Sequence, residues 1–208
     1  MIRIAYIVCC LWVLPTIAQR ELKIEFDQKS LEKEYSIQTL RFYLSKVQFH
    51  LSGDRWYKDE VRAYLIDLDD PNSWEIPLPK EVAKGSIDSV SFWIGVDSLT
   101  NVSGILEGDL DPINGMYWAW NSGYINFKVE GEKHASNTGF EYHLGGYLAP
   151  FSAARKVCIA RSTTNKKLTV RLNLKEFLDR IEMEELPEVM IPGPDAAALS
   201  DHLSNCFS

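Results

Sequence analysis

Hydrophobic and polar residues alternate at every second position over much of this chain of 208 residues. A repeat of two places successive side chains on opposite faces of an extended strand. Turn-forming pairs such as Gly53-Asp54 and Asp70-Pro71 separate the alternating runs. Because such strands must bury their apolar faces against another layer, the pattern predicts a mainly β, antiparallel, sandwich-like single domain. The runs are residues 22–26, 40–51, 61–68, 90–96, 125–129, 140–144 and 168–172.

The run at 40–51 changes phase in its middle. An extra residue in one strand of a pair shifts the alternation by one position and bends the strand. The sequence therefore predicts a β-bulge near Ser45-Lys46. The apolar positions are Leu40, Phe42 and Leu44 before the change and Val47, Phe49 and Leu51 after it.

One or two short helices are predicted near the C-terminus. Asn173 with Glu176 three residues later resembles a helix-capping pair, and apolar residues at helical spacing follow. A second helix is predicted after Pro192-Gly193-Pro194, with Asp195 as its cap.

The N-terminus has the parts of a secretion signal. Arg3 supplies a positive charge, residues 4–14 are apolar, and Ala18 is a small residue suited to cleavage. The sequence predicts a signal peptide at residues 1–18 and one domain at residues 19–208, exported to the periplasm or beyond. The apolar stretch is shorter than the roughly 20 residues of a membrane span, so no transmembrane segment is expected after cleavage.

Two cysteines remain in the predicted mature chain, Cys158 and Cys206. An oxidising compartment permits a disulfide between them. Two buried thiols that act as small hydrophobic residues are the alternative. The sequence leaves both interpretations open.

Charge and motif content exclude several classes of function. The formal net charge of −7 disfavours a nucleic-acid partner, since phosphates repel an acidic surface. The chain contains no nucleophile-elbow, P-loop, dinucleotide-binding or zinc-protease motif. We therefore expect a binding protein and not an enzyme.

The segment Met116–Tyr124 concentrates aromatic residues. In an extended strand, Met116, Trp118 and Trp120 share one side. A thioether beside two indoles suits a soft metal such as Cu(I), and exposed indoles also suit a carbohydrate. Core packing is the third interpretation, because aromatic side chains bury large areas.

Five short motifs occur along the chain in a fixed order and cover nearly all of the predicted mature protein. In this arrangement the chain resembles the MbnP-like proteins, which are periplasmic copper-binding proteins associated with methanobactin gene clusters and other bacterial metal-uptake loci. The motifs are Arg41-Phe42-Tyr43-Leu44-Ser45, Gly95-Val96-Asp97, Met116-x-Trp118-x-Trp120-x-x-Gly123-Tyr124, Tyr142-His143-Leu144-Gly145 and Val189-Met190-Ile191-Pro192-Gly193.

The resemblance implies a β-rich protein that binds copper in metal acquisition or handling. It identifies His143 as a ligand and Trp118 or Trp120 as a residue that is oxidised to kynurenine. The implied partners are a di-haem peroxidase-like modifying enzyme and outer-membrane metal-uptake proteins. Met116 is a further candidate ligand on the grounds of soft-ligand chemistry alone.

The chain also departs from the family pattern. Copper-binding relatives tend to carry histidine where this chain has Ser45, and Asn-His where it has Asn101-Val102. An interaction module without metal, or a carbohydrate-binding module, on the same scaffold is therefore the alternative function. Indoles that are enclosed and remote from any histidine would favour that alternative, whereas indoles beside His143 would favour copper.

Overall fold

The computed structural model of the chain describes residues 21–121, 123–163 and 167–208. The predicted signal peptide lies outside these residues. The described part is mainly β, which confirms the predicted fold class. Its strands are β1 (Glu21–Phe26), β2 (Tyr35–Leu51), β3 (Arg55–Lys58), β4 (Ala63–Asp67), β5 (Glu75–Pro77), β6 (Ile87–Ile94), β7 (Tyr117–Trp118), β8 (Gly123–Lys133), β9 (Thr138–Gly145), β10 (Arg155–Thr163), β11 (Lys167–Leu172) and β12 (Glu188–Val189). Its helices are α1 (Gln28–Leu31), α2 (Lys80–Ala83), α3 (Ser98–Val102), α4 (Leu174–Asp179) and α5 (Pro194–Ser204), with 3-10 turns at Pro71–Trp74, Gly108–Leu110 and Pro112–Asn114.

Two sheets form the sandwich. The large sheet has the order β10-β6-β2-β8-β9-β12, with β3 and β4 paired to β2 and β7 paired to β8. The small sheet has the order β11-β1-β5. Most pairs are antiparallel as predicted, but β1 pairs with β11 and β9 with β12 in parallel. The sheets are therefore mixed.

The long strand β2 holds the large sheet together. It pairs with β8 over its first half and with β6 over its second half, and the pairing with β6 shifts between Ser45 and Gln48. Lys46 sits at this shift with a positive φ of 49°. The predicted β-bulge is confirmed, and it explains why both phases of the alternating run reach the same core.

The main core lies between the two sheets and under the C-terminal helices. The apolar residues of β2 on both sides of the bulge are buried in it, together with Phe127, Tyr142 and Phe177. The inward face of β8 and β9 is thus apolar, so their intervening residues project from the opposite face of the large sheet. The candidate site lies on that outward face.

Both predicted C-terminal helices are present. The Asn173 side chain accepts a hydrogen bond from the Glu176 amide at the start of α4, as the capping pair predicts. The predicted cap of α5 is wrong, because Gly193 is the cap residue, Pro194 takes the first helical position and Asp195 lies in the first turn. A proline at that position has no amide, which removes one of the unpaired donors of the first turn.

Cys158 and Cys206 are separate thiols in this structure. Cys158 is exposed on β10, whereas Cys206 is buried in the main core. The disulfide interpretation is therefore wrong for this fold, and the buried-thiol interpretation holds for Cys206 alone. Burial raises the pKa of the Cys206 thiol to about 11.

Candidate metal centre

A second, smaller apolar cluster covers part of the outward face of the large sheet. The loop between β6 and β8 lies over Tyr43 and Ile125 and contributes Leu110, Met116 and Trp118 to this cluster. The Tyr43 hydroxyl donates to the Asp109 carbonyl at 3.0 Å, which fixes the loop to β2. We call this loop between β6 and β8 the lid, and it has its own packed interior.

Beyond this lid, the outward face of β8 and β9 is polar. Lys128 pairs with His143 across the two strands, and Glu130 pairs with Glu141. Side chains opposite each other on one face of an antiparallel pair lie close together. One ligand atom from each of Glu130, Glu141 and His143 lies within 4.8 Å of the others, close enough to share a metal ion.

Glu130 is at the centre of this group. Its Oε1 accepts from His143 Nε2 at 2.7 Å and lies 3.2 Å from Lys128 Nζ. Its Oε2 accepts from the Thr39 hydroxyl at 2.6 Å. Burial by itself raises the pKa of the Glu130 carboxyl, but the hydrogen bonds from Thr39, His143 and Lys128 outweigh it and lower that pKa to about 2. Glu130 is therefore an anion at neutral pH.

His143 is buried, with 6% of its surface exposed. Burial lowers the pKa of its imidazole, and the hydrogen bond to Glu130 opposes that shift only in part. The ring is therefore neutral at neutral pH, which is the form that ligates metals. Because a carboxylate only accepts hydrogen bonds, Nε2 carries the ring proton in the metal-free protein.

The donor set decides which metals suit this group. One imidazole nitrogen and two carboxylate oxygens fit a borderline divalent ion such as Cu²⁺ or Zn²⁺ better than soft Cu(I). Lys128 is a cation that already shares Glu130, so an ion bound there would have to displace the ammonium group. Glu141 is exposed and can turn towards an ion at little cost.

Met116 and Trp118 belong to the lid, and their side chains pack in its apolar interior. The Met116 side chain is fully buried in the apolar cluster, and Trp118 is 6% exposed. The Trp118 ring packs against Gly145, which is two residues from His143 on the same face of β9. Two residues of a strand span about 7 Å, so this indole is a neighbour of the polar group. The structure thus brings Trp118 towards His143, while Met116 packs among apolar side chains.

Trp120 has a different environment from Trp118. β7 ends at Trp118, and the chain turns at residues 119–121, so the predicted extended strand through Trp120 is wrong. The Trp120 side chain is 64% exposed, and its ring centroid lies 5.7 Å from that of Trp118. No histidine is among the residues that line the groove beside Trp120 in the described part of the chain.

Ser45 stands where relatives tend to carry histidine, and Asn101 precedes Val102 at the second such position; Ser45 and Asn101 both have structural roles here. The buried Ser45 hydroxyl donates to the Gly95 carbonyl at 2.6 Å. The buried Asn101 amide donates to the Val96 carbonyl and accepts from the Tyr124 amide. These two side chains therefore tie the lid and the β6 end to the sheet.

The remaining histidines lie outside the polar group. The His50 ring nitrogen Nε2 lies 3.1 Å from the Asp54 carboxylate, and exposed His134 contacts the Lys33 carbonyl. His202 is partly buried and stacks on Phe177. His143 is thus the one histidine that the described structure places with two carboxylates.

Sequence reasoning identified His143 but missed Glu130 as its partner. The strand that contains the alternating run at residues 125–129 continues through Gly131 and ends at Lys133. Position 131 lies inside β8, and it is glycine because a Cβ there would collide with the Ser36 carbonyl oxygen. The alternation places Glu130 outward, but only the β8–β9 register, which the sequence does not specify, brings it to His143.

The fold and the site together define a small β-sandwich-like protein with a candidate metal centre on the outward face of its large sheet. A family model, MbnP, matches residues 13–191, and the chain therefore belongs to the MbnP family. The chain is also similar in fold to the solved structure of MbnP from Methylosinus trichosporium, with a TM-score of 0.51 and 12% sequence identity. That match covers 78% of this chain and 77% of the other chain.

A comparison with curated proteins finds no match. Among the described residues, no helix is long and apolar enough to cross a membrane. The resemblance to MbnP-like proteins inferred from the sequence motifs is thus confirmed at the level of family and fold.

Proposed function

We propose that this protein is an exported binding protein that holds copper in metal acquisition or handling, and that it has no catalytic role of its own. The observation that carries the proposal is the convergence of Glu130, Glu141 and His143, whose ligand atoms lie within 4.8 Å of one another. Family membership supports copper as the metal. The nitrogen and oxygen donors favour the cupric ion, which binds such sites more tightly than other divalent first-row ions do.

In this proposal His143 is the central ligand and the carboxylates complete the site. The metal replaces the proton that Nε2 now donates to Glu130, so binding releases a proton. Met116 supports the site only through packing, since its thioether is enclosed by the apolar cluster. Trp118 covers the neighbouring part of the sheet and limits the access of water.

The two tryptophans differ as substrates for a modifying enzyme. An enzyme that acts on the folded protein reaches the exposed Trp120 more readily than the buried Trp118. Kynurenine at Trp118, in contrast, would place an aromatic amine beside the face that carries His143. Intact-mass and fragment analysis of protein from its native host identifies the modified residue, since the conversion adds two oxygen atoms and removes carbon monoxide.

Calorimetric titration of the metal-free protein with Cu²⁺ and with Zn²⁺ tests the metal site. We expect one strong site in the wild type, and affinity lower by about 10–100-fold or more in His143→Ala and in Glu141→Gln. His134→Ala is the matched control, because His134 is exposed and remote from the carboxylates, and its affinity should be unchanged. Equal stoichiometry and affinity in wild type and His143→Ala would remove His143 from the site.

A further inference from the structure

Four segments of the chain contain no charged residue and no histidine. They are residues 98–106, 112–127, 144–154 and 189–194. Elsewhere charge is frequent, since a quarter of all residues are Asp, Glu, Lys or Arg. An uncharged stretch inside a strand is ordinary, but these segments consist mainly of loops, turns and strand ends.

The four segments meet at one place in the fold. The Ser98 hydroxyl donates to the Tyr147 carbonyl at 3.1 Å, and the Asn101 side chain accepts from the Tyr124 amide at 2.9 Å. Gly146 lies against Pro192, so close that a Cβ there would be 2.9 Å from the proline ring. We call the exposed part of these four segments the uncharged surface.

The four segments also carry most of the exposed apolar side chains. Of the eleven large hydrophobic residues that are exposed in the described part of the chain, nine lie in the four segments. Trp120, Leu148 and Ile191 are each more than 60% exposed and border one groove, which Tyr147, Phe151 and Pro192 also line. Leu99, Val102 and Ile105, on α3 and the residues after it, are also exposed.

We propose that the uncharged surface binds the headgroup region of a neutral, zwitterionic phospholipid membrane. Contiguous exposed apolar patches mark protein or membrane interaction sites. A protein interface loses charge only at its centre and keeps a polar, charged rim. Here the absence of charge extends through all four segments, so no charged side chain loses its hydration when this surface enters the headgroup region.

The polar loop backbone limits how deeply the uncharged surface inserts into the membrane, and the lack of charge determines which lipids it binds. Loop backbone cannot enter the hydrocarbon core with unpaired polar groups, so insertion is shallow, about 5–10 Å at most. Trp and Tyr prefer this interfacial level. The surface offers no Lys or Arg to anionic headgroups, and the chain as a whole has a net charge of −7, so anionic lipid repels it.

Co-sedimentation with phosphatidylcholine vesicles tests the proposal, using the chain from Gln19 so that the apolar leader does not contribute. Leu148→Ser/Ile191→Ser should lower the partition coefficient at least about tenfold, since two exposed apolar side chains are lost. Trp56→Ser/Val61→Ser is the matched control, because both residues are exposed but lie outside the four segments. The control should bind like the wild type, and all three proteins should have the same circular dichroism spectrum.

Three results would overturn the proposal. The first is wild-type protein that stays in the supernatant with phosphatidylcholine vesicles. The second is stronger binding when the vesicles also contain phosphatidylglycerol, or an equal loss in the control variant. The third is a wild-type dimer in light scattering that becomes a monomer in Leu148→Ser/Ile191→Ser without vesicles, which would assign the surface to a second copy of this chain.

Discussion

The indole of Trp118 lies directly on the backbone of Gly145, where a Cβ would stand 2.5 Å from its Cζ3 atom. Gly145 follows His143 by two residues on the same face of β9, so the tryptophan continues the surface on which the candidate metal centre lies. The Trp-x-Trp and His-Leu-Gly motifs therefore meet through the glycine, although about 25 residues separate them in the sequence.

Substitution of this glycine should disturb the lid. In Gly145→Ala the new methyl group would overlap the Trp118 ring and approach the Tyr124 carbonyl at 2.9 Å. We expect the free energy of unfolding to fall by about 1–3 kcal/mol, the usual cost of an overpacked site. Gly139→Ala on the same strand is the control, because its Cβ would meet nothing closer than 3.9 Å. Denaturant unfolding followed by tryptophan fluorescence measures both, and equal stability of the two variants would contradict this packing.

The alternating pattern predicted the core and one detail of the sheet. Because Leu44 and Val47 must both face inward, the phase change required a bulge, and Lys46 provides it with a positive φ. The capping pair at Asn173 was equally local and was also predicted. Features of this kind depend on neighbouring residues in the sequence.

The candidate site depends on contacts that the sequence does not specify. Glu130 meets His143 only because the β8–β9 register places Lys128 opposite His143, and that register follows from the hairpin after Lys133. Long-range contacts also determine that β7 ends at Trp118. Because the chain turns there, Trp118 is buried in the smaller apolar cluster and Trp120 is exposed. The repeat of two in the hydrophobic pattern predicted which residues face outward, but it did not predict which of those residues become neighbours.

Asn101 should be one of the most sensitive polar residues of the lid. Its side chain is 3% exposed, donates to the Val96 carbonyl at 3.0 Å and accepts from the Tyr124 amide at 2.9 Å. Asn101→Ala leaves those buried groups unpaired, and we expect a loss of about 1–3 kcal/mol in the free energy of unfolding. Asn205→Ala is the control, since exposed Asn205 donates to the Asp201 carbonyl at the end of α5. A similar loss in both variants would contradict the structural role of Asn101.

The two thiols should differ in reactivity. In the folded chain from Gln19, exposed Cys158 should react at once with a thiol reagent, whereas Cys206 should react only on unfolding. Burial raises the pKa of Cys206 to about 11, so its thiolate is scarce at neutral pH. Counting modified thiols before and after denaturation measures this difference, and Cys158→Ser should abolish the fast reaction. Thiols that react only after reduction would indicate a disulfide.

Buried tyrosines should make the fold sensitive to alkaline pH. Burial raises the pKa of Tyr43 and of Tyr142 well above the ordinary value of 10.0, and their hydroxyls donate to the Asp109 and Leu186 carbonyls. A pKa that is higher in the folded state means that the contribution to stability is complete below pH 10.0 and declines as the pH rises further, because the unfolded chain releases the protons first.

Titration of phenolate absorbance in the folded protein tests this expectation. Tyr43 and Tyr142 should ionise together with unfolding, in one cooperative step that circular dichroism also detects. Tyr43→Phe should lower the free energy of unfolding at neutral pH by about 1 kcal/mol, since the Asp109 carbonyl loses one hydrogen bond and keeps the one from the Asn114 side chain. The same variant should lose less of its stability above pH 10.0 than the wild type does. Smooth ionisation of every tyrosine near pH 10.0 while the circular dichroism spectrum stays native would contradict the buried positions of these hydroxyls.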